Sequence, residues 1–453
     1  MDALQALADQ LSPGALITDP DILSSYRLDR AAQPDAGTPL AVVRADSTAD
    51  VQATLRHASS HGLGVVPRGA GTGLSGGASA VDGAIVLSTE RMRRVDVQPA
   101  MRVAVAQPGA LNAEVKAAAA GVGLWYPPDP SSFEICSIGG NAATNAGGLC
   151  CVKYGVTTDY VLGMQVVLAD GTALRLGGPR LKDVAGLSLT KLFVDSEGTL
   201  GVITELTLRL LPAPPPSATL VAGFGSIESA AEAVVGIVAC LRPSMLELMD
   251  RVAVNAVEDM LHMGLDRNAA ALLIARSDAP GAAAAAEIAE MESVCLAYGA
   301  QDVFATDDQG EGEALLAARR AAFAAMERKG DLLFEDVGVP LPALPELVHG
   351  IEQLAEKHGV EISVVAHAGD GNTHPLIVSD LRDPDKHERA LTAFGDVMTL
   401  AMELGGTITG EHGVGRLKAP WLPTYLGEDV MALTRKIKSA LEPHGILNPG
   451  AMF

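Results

Sequence analysis

A chain of 453 residues is too long for one ordinary hydrophobic core, so two or three domains are expected, and a hydrophobic fraction of 48% excludes a disordered chain. The formal net charge of -22, with no local cluster of Lys and Arg to offset it, excludes a nucleic-acid partner, because phosphate contacts need a basic surface. Five cysteines without a C-x-x-C spacing argue against iron-sulfur, zinc-ribbon and disulfide scaffolds and fit a reducing cytoplasm.

The start, Met1-Asp2-Ala3-Leu4, is acidic and amphipathic, so neither a secretory signal nor a membrane span is expected there. The longest apolar candidate span, 220–241, is broken by Glu228 and Glu232. Residues 40–45 read as a strand, 47–61 as a helix capped by Ser47 or Thr48, and 63–67 as a strand again. Then comes the loop Pro67-Arg68-Gly69-Ala70-Gly71-Thr72-Gly73-Leu74-Ser75-Gly76, so rich in glycine that its amides can approach a ligand such as a diphosphate. Gly71, Gly73 and Gly76 spell G-x-G-x-x-G after a strand. The dinucleotide fingerprint, however, needs a helix opening within the motif, and here 77–83 continue the turn while 84–88 is already the next strand. An NAD-type site is therefore rejected; a phosphate cradle of bare amides or a ligand-free glycine hairpin are the alternatives.

Residues 102–108 form a further strand and 111–121 a helix, before Tyr126-Pro127-Pro128-Asp129-Pro130 ends regular structure. The stretch 137–148 mixes small residues with Asn and Thr, which suits a close-packed loop that hydrogen-bonds a polar cofactor, or simple turn chemistry. A hairpin follows, 161–168 with 173–176, through Asp170-Gly171. Asp195-Ser196-Glu197-Gly198 leads to a strand that ends near 211, and the proline-rich 212–216 closes the first domain. Beyond it the pattern is strand, helix, strand twice over (218–224, 227–241, 245–249, then 271–275, 282–298, 302–306), which predicts a ferredoxin-like antiparallel sheet covered by helices. Residues 315–329 read as a helix carrying Arg319 and Arg320, 344–358 as a helix with Pro345 in its first turn, and 362–366 as a strand.

That strand delivers His367-Ala368-Gly369-Asp370-Gly371-Asn372-Thr373-His374-Pro375, whose glycines, Asp and Asn predict a tight irregular turn aiming both histidines at one point. Glu411-His412-Gly413 follows a strand-like run over 405–409. His367, His374 and Glu411 make a metal-ligand set suited to zinc, iron or manganese, with zinc first. Each histidine alone is more often a hydrogen-bonded structural residue.

The glycine loop after Pro67-Arg68, the Gly139-to-Gly148 stretch, Glu197-Gly198-Thr199-Leu200-Gly201, the stretch 367–375, Glu411 to Gly415 and Leu447-Asn448-Pro449-Gly450 occur in this order. In that order the chain resembles the FAD-linked oxidases of the vanillyl-alcohol oxidase superfamily, in the branch of the glycolate oxidase flavin subunit and the D-lactate and D-2-hydroxyglutarate dehydrogenases. The resemblance implies an α+β fold: a two-lobed PCMH-type FAD-binding domain over 37–214, a ferredoxin-like substrate (cap) domain over 215–411, and a C-terminal segment, 412–453, that returns to the FAD domain. Residues 1–36 would form a helical extension. It implies that Pro67 through Gly76 hold the FAD, together with Pro128, Asp129, Ser132, Gly139, Gly140, Asn141, Thr144, Asn145, Ala146, Gly147 and Gly148. Tyr154, Glu197, Gly198, Gly201, Val202, Ile203 and Asn448 complete the implied cofactor set. Members with covalent flavin use a His or Cys of the first loop, which has neither here, so non-covalent FAD is expected. Phe334 stands where hydroxyglutarate-specific relatives place a Lys, which disfavours a second substrate carboxylate.

Oxidising a 2-hydroxy acid removes a hydroxyl proton while a hydride leaves the adjacent carbon, so a divalent ion at His367, His374 and Glu411 has a task there. His412 is the expected general base, with an ordinary pKa of about 6.5. Arg319 is expected on the substrate carboxylate, and Asn372 against the substrate. The activity implied is that of an FAD-linked 2-hydroxyacid oxidase or dehydrogenase acting on glycolate or D-lactate. The alternatives are a hydroxyglutarate enzyme, a non-catalytic flavin subunit, or a flavin-free metal hydrolase. Electrons then pass to a separate acceptor, whether an iron-sulfur subunit, a cytochrome, a quinone or an electron-transfer flavoprotein. The expected location is cytoplasmic, or peripheral to the membrane through such a partner.

Overall fold

Short Val- and Ile-rich runs buried on both faces become parallel strands in the first unit of the chain. The computed structural model describes residues 3–31, 36–380 and 382–453, so part of the expected 1–36 extension, including Met1 and Asp2, lies outside the described residues. The chain divides into two units. One comprises the residues up to Gly147, Val156–Ala213 and Glu411–Phe453, and the other Gly148–Gly155 and Pro214–Gly410.

In the first unit Ala41–Arg44, Ile85–Ser88 and Val65–Arg68 lie parallel in that order, with Leu16–Ile17 antiparallel at the edge. The crossover helix Thr48–His61 starts at Ser47, whose side chain accepts from the Asp50 amide, and stops at Gly62 in the left-handed conformation. A second, antiparallel sheet runs Val95–Gln98, Val103–Ala106, Val202–Arg209, Val161–Val167, Ala173–Gly177, and contains the expected Asp170-Gly171 hairpin. Alternation of Val202–Arg209 sends Leu206 and Leu208 into a core with Val166, Phe193 and Tyr126. The C-terminal segment joins the parallel sheet: Leu447 bridges Val65, and the Asn448 amide donates to the Val65 carbonyl at 2.8 Å.

The second unit has the predicted ferredoxin-like order. Ala300–Thr306, Ala218–Phe224, Ala271–Ser277 and Met245–Asp250 are adjacent in that sequence and all antiparallel, with the helices Ile227–Cys240 and Ala282–Ala297 packed on them. The sheet continues through Ile362–His367, Asn372–Ser379 and Asp331–Phe334, and Val337–Gly338 also pairs with Asn372–Ser379.

Four local expectations are corrected. The stretch after Ser137 is not all loop: Ile138–Ala143 is a helix, because the Ser137 hydroxyl accepts the Gly140 amide as its cap. The 315–329 helix is broken at Ala321 into Gln309–Arg320 and Ala322–Glu327. The run 405–409 is not a strand; Thr407 makes a single bridge to Gly338. The 367–375 stretch is a hairpin rather than an irregular turn, its link a short 3-10 turn at Ala368–Asp370 and a left-handed Gly371. A Cβ on Gly371 would meet the Val339 carbonyl at 2.3 Å, so only glycine fits that corner.

Candidate functional site

In the first unit the glycine loop is held from behind. The buried Arg68 guanidinium donates to the carbonyls of Ala78 and Leu28 at 3.0 and 2.8 Å, and Asp29 accepts from the Ala78 amide at 3.2 Å and the Ser79 hydroxyl at 3.0 Å. Burial pushes the Asp29 carboxyl upward, against the pull of these bonds and of Arg68. From the C-terminal segment, Arg416 reaches the Gly76 carbonyl at 2.7 Å and Asn448 the Gly77 carbonyl at 3.0 Å. Arg68 and Asn448, both expected on the cofactor, therefore shape the loop. Asn448 accepts from Arg416 at 2.6 Å and donates to Glu197 as well, so both ends of its amide are engaged by the protein.

With the loop fixed in this way, the amides of Gly71 through Gly77 donate to no acceptor among the described residues. A row of unsatisfied backbone donors in a half-buried loop is an anion cradle, and it fits the diphosphate of a bound FAD. Next to it, the Ser137 hydroxyl accepts from the Ala70 amide at 3.2 Å, and a Cβ on Gly69 would lie 2.2 Å from that oxygen. Ser137 thus couples the loop to the helix that carries Gly139, Gly140 and Asn141. Thr144 and Asn145 close that helix, and Asn145 and Ala146 accept from Thr158 and Thr157. Asp129 pairs with Lys116 at 3.2 Å, Pro128 accepts from Asn112, and the Ser132 carbonyl caps the turn at Cys136. Gly198 and Gly201 abut Pro67 and Val166, while Val202 and Ile203 are buried. Tyr154 belongs instead to the second unit, where its hydroxyl and the Lys153 ammonium both meet Asp278.

Glu197 is the first unit's most unusual carboxylate. It lies at a positive φ of 47° and accepts the amides of Val414 and Gly415 at 2.7 and 2.8 Å. Burial pushes its carboxyl up to about 7, and Asp195 adds to the rise while the two amides and Arg416 oppose it. It thereby holds the turn that follows Glu411 and His412, whose own carbonyl accepts from Ser75 at 3.1 Å.

The second unit brings His367 and His374 together. His367 ends Ile362–His367 opposite Asn372, and His374 pairs with Val365 two positions away, so strand alternation puts both imidazoles on one face. Their ring centroids are 5.0 Å apart at near right angles, and the residues are 4% and 1% exposed. Behind each ring stands a carboxylate. Both oxygens of Glu247 lie 2.9 Å from His367 Nδ1, and Asp336 Oδ1 lies 3.6 Å from His374 Nδ1. Asp336 in turn accepts from Thr409 Oγ1 at 2.7 Å and from the Gly410 amide at 2.8 Å, which fixes the residue immediately before Glu411 in the chain. Asn372 sits beside Gly410, where a Cβ would meet its side-chain oxygen at 2.2 Å.

Arg319 does not stand at the surface awaiting a carboxylate. It has no exposed area, and its Nη2 is 2.8 Å from Glu247 Oε2, so the expected substrate ligand is the partner of an internal carboxylate. Glu247, Glu335 and Asp336 are likewise unexposed. Two buried imidazoles, each with a carboxylate behind its Nδ1, are a donor set that fits a divalent cation. Nothing local in the sequence marks the roles of Asp336 and Arg416, and Ser137 stands out only as the head of the 137–148 stretch; Glu247 does carry a signal, a charge between Leu246 and Leu248 in a strand that is otherwise apolar up to Asp250.

Residues 39–177 match the FAD binding domain family, and residues 213–452 match the C-terminal domain of FAD linked oxidases. The chain is 39% identical over 448 residues to the glycolate oxidase subunit GlcD of Bacillus subtilis, covering 98% of this chain and 93% of that protein. It is 36% identical over 450 residues to a D-lactate dehydrogenase of Archaeoglobus fulgidus, covering 98% of each chain. The solved structure of p-cresol methylhydroxylase with substrate bound shares the fold, with a TM-score of 0.84 at 17% identity over 99% of this chain and 96% of that one.

Proposed function

The chain belongs to the FAD-linked oxidases that join an FAD-binding domain to an FAD-linked oxidase C-terminal domain, and from that membership we propose that it oxidises a small D-2-hydroxy acid, glycolate or D-lactate, to the 2-oxo acid. The observation that carries this reading is the buried pair His367 and His374, each with Nδ1 against a carboxylate. The names of the relatives, a glycolate oxidase subunit and a D-lactate dehydrogenase, support the substrate class.

Bound FAD supplies the hydride acceptor, and a divalent cation supplies the Lewis acidity that makes a substrate hydroxyl more acidic. The Gly71-to-Gly77 amides bind the FAD diphosphate. His367 and His374 offer nitrogen ligands to the cation, zinc before iron or manganese, and Glu411 completes the set with an anionic oxygen. His412 receives the hydroxyl proton as the two electrons and the hydrogen on the adjacent carbon leave together. Phe323 lies 5.9 Å from the His374 ring and 5.8 Å from Phe334, an apolar neighbourhood that favours a monocarboxylic substrate. Among the described residues no helix is long and apolar enough to cross a membrane, and electrons leave to a separate acceptor, for which an iron-sulfur subunit, a cytochrome, a quinone or an electron-transfer flavoprotein are the candidates.

The test is anaerobic mixing of the purified flavoprotein with D- and L-hydroxy acids while the flavin absorbance is followed, with metal analysis on the same sample. Bleaching by glycolate or D-lactate is the expected result. A flavin that stays oxidised with every acid would make the chain an electron-transferring or non-catalytic subunit instead.

A further inference from the structure

We propose that Glu247 is a positioning residue for His367: held by Arg319, it fixes the proton on Nδ1 and the plane of the ring, so that Nε2 is presented as the ligating nitrogen. This deepens the metal-assisted reading above and rests on it.

The argument begins with register. Leu248 pairs with Ala366 and Met249 with Val365, so the next step of the same antiparallel ladder sets Glu247 beside His367. Both carboxylate oxygens come within 2.9 Å of Nδ1. A carboxylate is an acceptor only, so His367 must donate from Nδ1, and a neutral imidazole that donates there carries its lone pair on Nε2. The tautomer is thus dictated by a residue 120 positions away.

Arg319 gives Glu247 a charged partner in a place with no exposed surface. Its Nη2 lies 2.8 Å from Oε2, and both side chains have 0% exposure. A guanidinium is donor only and stays charged, so it cannot compete with His367 for the proton and holds the carboxylate in one orientation. An ion pair that merely tied the sheet together could be placed anywhere along these strands. This pair instead ends on the ring nitrogen of a histidine whose neighbour, His374, is backed by a second carboxylate, Asp336. The arrangement is that of ligands oriented through their far nitrogen, where the outer residue changes metal affinity without touching the metal.

The experiment uses the full-length FAD-loaded protein and zinc as the probe, titrated against a chromophoric chelator, together with 15N-histidine spectra that report the tautomer of His367. Glu247→Gln keeps the shape but can donate from its amide, which permits the other tautomer. It is expected to weaken zinc binding by about 10- to 100-fold and to mix the His367 tautomers, with flavin content unchanged. If Glu247→Gln alone does not fold, Glu247→Gln with Arg319→Gln removes both charges together and carries the same expectation. A variant that folds, keeps the Nδ1–H tautomer and binds zinc as the wild type does overturns the proposal. A wild type that binds no zinc, like His367→Ala, would overturn the metal reading, while the tautomer spectra would still decide whether Glu247 sets the ring.

Discussion

Glu197 accepts the amides of Val414 and Gly415 on separate carboxylate oxygens, at 2.7 and 2.8 Å, across 217 and 218 residues of sequence. Two charge-assisted bonds favour the ionised form, yet burial outweighs them and pushes the carboxyl from 4.5 up to about 7. Asp195 faces the group and raises it further, whereas Arg416 lowers it. A carboxyl raised in the folded state contributes stability that is present below its unfolded value and lost as the pH climbs through the folded one. Wild type should therefore lose thermal stability relative to Glu197→Gln between about pH 4.5 and about 7, and the difference should level off above. Melting temperatures of both proteins across that range check it; a constant difference would mean that Glu197 ionises at its ordinary value.

His374 is 1% exposed, and its ring stands against His367 and Phe323. The proposed ligand role predicts that His374→Ala keeps the yellow flavin, because the amide cradle belongs to the other unit. The variant should lose bound metal and lose bleaching by substrate together. Metal analysis and anaerobic spectra on one preparation measure both. Bleaching without metal would leave His374 a packing residue, at a stability cost of about 3 kcal/mol, the usual effect of a large-to-small change in a core.

The parts legible in the sequence were those that depend on local chemistry. Glycines at 71 and 76 take the positive φ that the loop requires, and Asp170-Gly171 turns a hairpin, so both could be read from residue type alone. The strand and helix periods of the second unit likewise led to its ferredoxin-like order. What escaped depends on partners distant in sequence. Ile138–Ala143 reads as a loop from its mix of small residues with Asn and Thr, whereas the Ser137 cap opens a helix there and the close approach to Pro108 is what requires Gly139. Arg319 reads as a ligand for the substrate carboxylate, and nothing local shows that Glu247 lies across from it. His367 and His374 were recognisable as a pair, but their common face is a matter of hairpin register.

Asp278 gathers Lys153 and Tyr154, and Arg242 donates to the Lys153 carbonyl, so Gly148–Gly155 is clamped within the second unit. Asp278 is nearly unexposed, which makes it a partner whose loss leaves a poorly hydrated ammonium behind. Asp278→Ala should raise the rate of limited proteolysis within this segment by about tenfold, equivalent to about 1.4 kcal/mol of local opening. The flavin spectrum decides Tyr154. An unchanged spectrum assigns it to the clamp, and a shifted one restores it to the cofactor set implied by the motifs.

Phe334 ends the strand Asp331–Phe334 opposite Leu376, is 7% exposed, and packs its ring at 5.8 Å from Phe323, which itself lies against His374. A second carboxylate brought to these rings would give up its hydration without gaining a counter-charge, an expensive transfer. Initial rates with an artificial electron acceptor should therefore favour glycolate or D-lactate over D-2-hydroxyglutarate by about a hundredfold or more in kcat/KM, as expected where a polar group meets an apolar wall. Phe334→Lys supplies the missing charge on a flexible stem. It should narrow that ratio by raising the rate for the dicarboxylate, and not only by lowering the rate for the smaller acid. A ratio that is already near unity in the wild type would place the substrate's far end away from Phe323 and Phe334.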